Sequence, residues 1–78
     1  SMQSYALLAD RIRVMLAERG KPPPSLTPST PLAEVGFDSL DLAALIVHLE
    51  EETGKDPFSS GALTEFPRDL QTLASLYD

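Results

Sequence analysis

The sequence predicts an all-α fold: a small bundle of three main helices plus one short helix, with a long loop between the first two. Three observations lead there. Apolar residues recur at helical spacing in separate segments, prolines and glycines cut the chain between those segments, and no stretch alternates with the period of a strand. At 78 residues there is room for one small domain, taken as residues 2–78, with Ser1 set aside as an extra residue ahead of Met2. A domain this short buries only about 60% of the surface its unfolded chain exposes. The chain has no cysteine, which removes a disulfide framework, a cysteine zinc site and a thiol nucleophile. Stability must therefore come from apolar packing, and 42% of the residues are hydrophobic.

The first helix is expected from about Ser4 to Arg19. Tyr5, Leu8, Ile12, Met15 and Leu16 share one side, Ser4 suits the N-cap and Gly20 the stop. From Lys21 to Phe37, Pro22, Pro23, Pro24, Pro28 and Pro31 forbid a continuous helix. Thr30-Pro31 can open one helical turn. A connection this long needs anchors, for which Leu26, Leu32, Val35 and Phe37 are the candidates. The second helix is expected from Ser39 to Thr53, closed by Gly54. Leu42, Leu45, Ile46 and Leu49 form its core face, Asp38 is the N-cap, and Asp41 completes a capping box. After Asp56-Pro57, Ser59 or Ser60 is expected to cap a short helix through Ala62, Leu63 and Phe66, weakened by Gly61. Beyond Pro67, Asp69 caps a last helix with Leu70, Leu73, Ala74 and Tyr77 on one face.

The second helix carries more apolar surface than one core can use. With Leu42 at 0°, Leu40, Ala43 and Val47 fall near ~160°, ~100° and ~140°. They form a second stripe, with Asp41, Glu50 and Glu51 beside it or further round. Such a patch is either a docking site or a surface that the long loop folds over and buries.

Net charge is −6, from 12 acidic and 6 basic residues. That surface repels nucleic acid and steers toward basic patches on proteins. No apolar run approaches the roughly 20 residues of a membrane span, and no signal-peptide segment appears, so a cytoplasmic monomer is expected. The acids lack the D-x-D-x-D-G calcium pattern, and no metal is expected.

Ser39 stands in the first turn of the second helix, where unpaired N–H groups and the positive end of the helix dipole favour a phosphate. Position alone favours a plain helix starter. Its surroundings decide. Gly36-Phe37-Asp38-Ser39-Leu40-Asp41-Leu42, followed by Leu49-Glu50-Glu51-Glu52-Thr53-Gly54, resembles the acyl carrier protein family. There an Asp-Ser-Leu triplet marks the serine that bears phosphopantetheine. The resemblance runs along nearly the whole chain, from the first helix and proline-containing loop to the closing Leu76-Tyr77.

The resemblance implies a free-standing four-helix carrier bundle. Ser39 would bear 4'-phosphopantetheine donated by coenzyme A, and Asp38 would help a phosphopantetheinyl transferase engage it. Leu40, Ala43 and Val47 would be apolar docking positions, and Asp41, Glu50 and Glu51 would meet basic patches on synthase or transferase enzymes. The terminal thiol would carry acyl intermediates as thioesters in fatty-acid, polyketide or related biosynthesis, after a loading enzyme attaches them. An aminoacyl or peptidyl carrier of a nonribosomal-peptide pathway is the alternative. Ala44, where the family often has an acid, and Thr53, where it commonly has an aromatic, depart from the pattern. Both point away from a housekeeping fatty-acid carrier and toward a dedicated pathway.

Two rivals remain. A hydrolase with Ser39 as nucleophile would need His48, the sole histidine, as its base. Nine helical residues place that imidazole ~13.5 Å along the axis and ~180° round from Ser39, beyond hydrogen-bond reach. The G-x-S-x-G elbow is absent too, so no intrinsic catalysis is expected, and His48 is read as a solvent-facing residue. An acidic helical adaptor without a prosthetic group would explain the apolar stripe but leaves Ser39 without a task.

Overall fold

A computed structural model describes residues 1–61, 63 and 65–78. Among these residues three α-helices follow one another: α1 (Met2–Glu18), α2 (Ser39–Thr53) and α3 (Leu70–Ser75), with a 3-10 turn at Leu32–Glu34 in the first connection. Helix α1 packs against both α2 and α3. The all-α expectation holds, and no strand forms among the described residues.

Helix α1 starts one turn before the expected Ser4. The Ser1 hydroxyl accepts the Ser4 N–H at 3.2 Å, and the Ser1 carbonyl accepts the Tyr5 N–H at 3.0 Å. Ser1, set aside on sequence grounds, is thus the N-cap. The expected apolar side is the buried one: Leu8, Ile12, Met15 and Leu16 are enclosed, with Tyr5 packed at their edge.

The bounds of α2 match the expectation. Asp38 accepts the Asp41 N–H at 2.8 Å, and Asp41 accepts the Asp38 N–H at 2.9 Å, completing the capping box. At the other end Gly54 adopts φ +73°, a left-handed conformation that costs glycine little, and its N–H reaches the Glu50 carbonyl at 2.8 Å. Leu45 and Leu49 are fully buried, while Leu42 and Ile46 lean against the core.

The long connection is held where it crosses α3. Leu32 N–H donates to the Arg68 carbonyl at 2.7 Å, Leu70 N–H to the Thr30 carbonyl at 3.1 Å, and Gln71 N–H to the Pro28 carbonyl at 2.8 Å. Leu32 and Val35 are buried, and Leu26 and Phe37 pack partly against the core, so all four expected anchors serve. The expected turn after Thr30-Pro31 is the 3-10 turn, with Pro31 as its cap. Asp69 caps α3 by accepting the Thr72 N–H at 2.8 Å. Where a short helix was expected, Pro57 to Ser60 form turns and Gly61 takes φ +71°. Ala62, the middle of that expected helix, lies outside the described residues. Phe58 and Phe66 stack across this stretch with ring centroids 5.3 Å apart.

Two long-range charge contacts fix α1 against α2. Arg11 pairs with Glu52, and Arg19, the residue capping the end of α1, pairs with Asp41. Asp41 is 2% exposed, so its carboxylate depends on the Asp38 N–H and the Arg19 guanidinium for the partners that water would otherwise supply.

Two predictions follow from this packing. Asp41→Ala removes a charge-assisted cap and the α1–α2 pair together, and should lower unfolding free energy by about 2 kcal/mol in urea titrations, whereas Glu51→Ala stays within about 0.5 kcal/mol. Tyr77 is buried with no hydrogen-bond partner for its hydroxyl among the described residues, and burial, aided by the Asp56 and Glu50 charges, pushes its pKa up to about 12. A raised folded-state pKa contributes stability that is complete below about pH 10 and lost as pH climbs toward 12. Tyr77→Phe should keep or raise the neutral-pH urea midpoint and flatten that alkaline decline. A large loss at neutral pH would show instead that the hydroxyl is bonded.

Candidate functional site

The stretch singled out by sequence lies where the first connection enters α2. Gly36 takes φ +90°, which turns the chain before Phe37 and Asp38. Phe37 tucks partly into the core, and Asp38 caps the helix that begins at Ser39. Ser39 is exposed. In the first turn, Asp38 takes the Asp41 N–H, while Ser39 and Leu40 donate their N–H groups to no other described residue. An exposed hydroxyl therefore stands beside two free backbone donors at the positive end of a 15-residue helix. This suits a group joined through a phosphate.

The second stripe of α2 faces solvent. Leu40 is 78% and Val47 55% exposed, and Ala43 between them is exposed as well. Burial beneath the long loop is thereby excluded, because the hydrogen bonds of that loop draw it to the start of α3 instead.

The acids divide. Glu50 and Glu51 are exposed and form no ion pair with a lysine or arginine among the described residues; Glu51 lies 4.0 Å from His48 Nδ1. Glu52 is committed to Arg11. Asp41 requires a correction. Expected to meet partner enzymes, it is instead enclosed and engaged by Asp38 and Arg19, so it shapes the site from within. The sequence signal for this was the capping box itself, which turns an N3 acid back toward the helix start.

A groove of about 440 Å³ opens beside Leu42 of α2, a feature the sequence did not reveal. Its lining includes Leu32, Phe37, Leu42, Phe66, Pro67 and Arg68. Leu42 is one turn from Ser39 on the same helix, and side chains at that spacing are neighbours. Phe37 and Leu32 had been expected only as core anchors. The groove exists because the loop staples bring residues 66–68 alongside them.

His48 lies nine residues along the same unbroken helix, which keeps it about 13.5 Å up the axis from Ser39. No group of three or more histidine, cysteine, aspartate or glutamate residues suited to a metal forms among the described residues. Among the described residues no helix is long and apolar enough to cross a membrane.

The family model described as "Phosphopantetheine attachment site" matches residues 10–77. No curated protein and no solved structure gives a significant match. The matched segment contains all of α2 and α3, the stapled loop and the second half of α1. A phosphate-accepting helix start with an exposed hydroxyl is what such a segment needs, and the chain belongs to the phosphopantetheine-attachment family, a carrier domain whose prosthetic group is covalent 4'-phosphopantetheine.

Proposed function

We propose that this chain is an acyl carrier protein in which Ser39 holds the prosthetic group and α2 presents it to successive enzymes of fatty-acid, polyketide or related biosynthesis. One observation carries the reading: Ser39 is exposed in the first turn of α2, inside the Asp38-Ser39-Leu40 triplet and beside free backbone donors. The group, when bound, supplies a terminal thiol for a thioester. The chain has no cysteine of its own to do so.

The remaining work is presentation. Asp38 holds the helix start in shape by capping Asp41, which keeps the Ser39 oxygen turned outward for a phosphopantetheinyl transferase using coenzyme A. The Ser39 and Leu40 N–H groups would hold the phosphate of that group and compensate part of its charge. Leu40, Ala43 and Val47 give partners an apolar contact, and Glu50 and Glu51 give them an acidic rim. Individual exposed charge pairs contribute only about 0.2–1 kcal/mol. Contacts of that size give fast, salt-sensitive and reversible docking, which a shuttle requires. The chain itself performs no catalysis in this scheme, and its partners are the transferase, a loading enzyme and synthases with basic patches.

Intact mass after incubation with coenzyme A and a phosphopantetheinyl transferase tests the assignment. The wild type should gain one phosphopantetheinyl group and Ser39→Ala none. An undiminished gain in Ser39→Ala moves the attachment elsewhere and defeats the reading. Docking is tested separately with Leu40→Ala/Val47→Ala, which should fold with stability within about 0.5 kcal/mol of wild type yet raise KM for the transferase. Unchanged KM would remove the stripe from the docking surface.

A further inference from the structure

We propose that Arg68 is a specificity-determining residue that favours cargo ending in a carboxylate, held in the groove beside Leu42. The inference rests on Ser39 being the attachment point and adds the class of acyl group.

The groove has the size of small-molecule sites, which run ~300–1,000 Å³, at about 440 Å³. Its wall is apolar along Leu32, Phe37, Leu42, Phe66 and Pro67, and Arg68 is the charged residue in that lining. Arg11 is occupied by Glu52, Arg19 by Asp41, and Lys55 by the Tyr77 and Asp78 carbonyls; Arg13 and Lys21 are exposed and lie outside the groove lining. The Arg68 guanidinium forms no ion pair or hydrogen bond among the described residues. Glu65 and Asp69 share a neighbouring hollow with it, and neither is within pairing distance. Asp69 is engaged as the cap of α3, accepting the Thr72 N–H.

Charge makes this unpaired arginine significant. The domain carries −6, so an anionic acyl end folding back onto it meets repulsion almost everywhere. In the groove lining the charged residue is a cation, Arg68. The exposed Arg68 guanidinium, planar and set at an apolar wall, can donate two parallel hydrogen bonds to a carboxylate. A methyl-ended chain of equal length fills the same wall but leaves Arg68 in water. Only the backbone carbonyl of Arg68 serves the loop staple, so its side chain can be changed without touching that bond.

The test loads the wild type and Arg68→Gln with two amide-linked, hydrolysis-resistant coenzyme A analogues, a butyryl group and its carboxylate-ended counterpart, a succinyl group. Intact mass reports attachment, and two-dimensional amide NMR reports occupancy of the groove. Amide shifts at Ala33, Phe37, Leu42 and Phe66 should be larger for succinyl than for butyryl in the wild type. That difference should vanish in Arg68→Gln and persist, reduced, in Arg68→Lys. Normal mass gain with equal shifts for both cargoes overturns the proposal while leaving attachment intact. So does a difference that survives in Arg68→Gln, or an Arg68→Gln effect already complete on the unacylated arm, which would assign Arg68 to the phosphate. No mass gain in the wild type defeats the attachment reading and this proposal with it.

Discussion

The contact between Arg19 and Asp41 underlies the arrangement of the whole site. Asp41 gives its N–H to Asp38, receives the Asp38 N–H in return, and turns its other oxygen to a guanidinium at the end of the preceding helix. A carboxylate as enclosed as this one is tolerable only when its oxygens are paired. Here both are. The same side chain therefore sets where α2 begins and how its first turn sits relative to the end of α1. Ser39, two positions before it, inherits that placement without touching Arg19 at all.

One helix then serves surfaces with opposing requirements. Leu45 and Leu49 close the core against α1 and α3, while Leu40, Ala43 and Val47 remain outside. Exposed apolar residues in a row invite self-association, and the surrounding negative charge offsets this by keeping copies of the chain apart. The three consecutive glutamates show how fine the division is. Glu50 and Glu51 point to solvent, and Glu52 returns to α1 through Arg11, so an apparently uniform acidic run is part surface and part brace.

Much of this was legible in the residues because its causes are local. The bounds of α2 follow from Asp38 and Gly54, and the second apolar stripe follows from helical geometry around Leu42, though its exposure is set by where the loop runs. What escaped was decided at a distance. Ser1 and Ser4 are equally good caps by composition, and only the backbone path chose the earlier one. Asp41 looked like a surface acid because its partner is 22 residues away, in the last turn before a glycine. The groove joins residues of the first connection to Phe66 and Arg68, and no periodicity announces a meeting of two irregular segments. The family resemblance supplied the meaning of Ser39, which its position alone left open.

The loop staples have a consequence for how the chain tolerates change. Pro28, Thr30 and Leu32 are bonded to residues 68–71, which ties that part of the loop to the start of α3. Ahead of that point, Lys21, Pro22, Pro23 and Ser25 are exposed and outside those bonds. Insertions and deletions belong in that short proline-rich span, because added residues there bulge into solvent at little entropic cost. Three residues further on, the same change would slide Leu32 and Phe37 out of register and take the entrance to α2 with them.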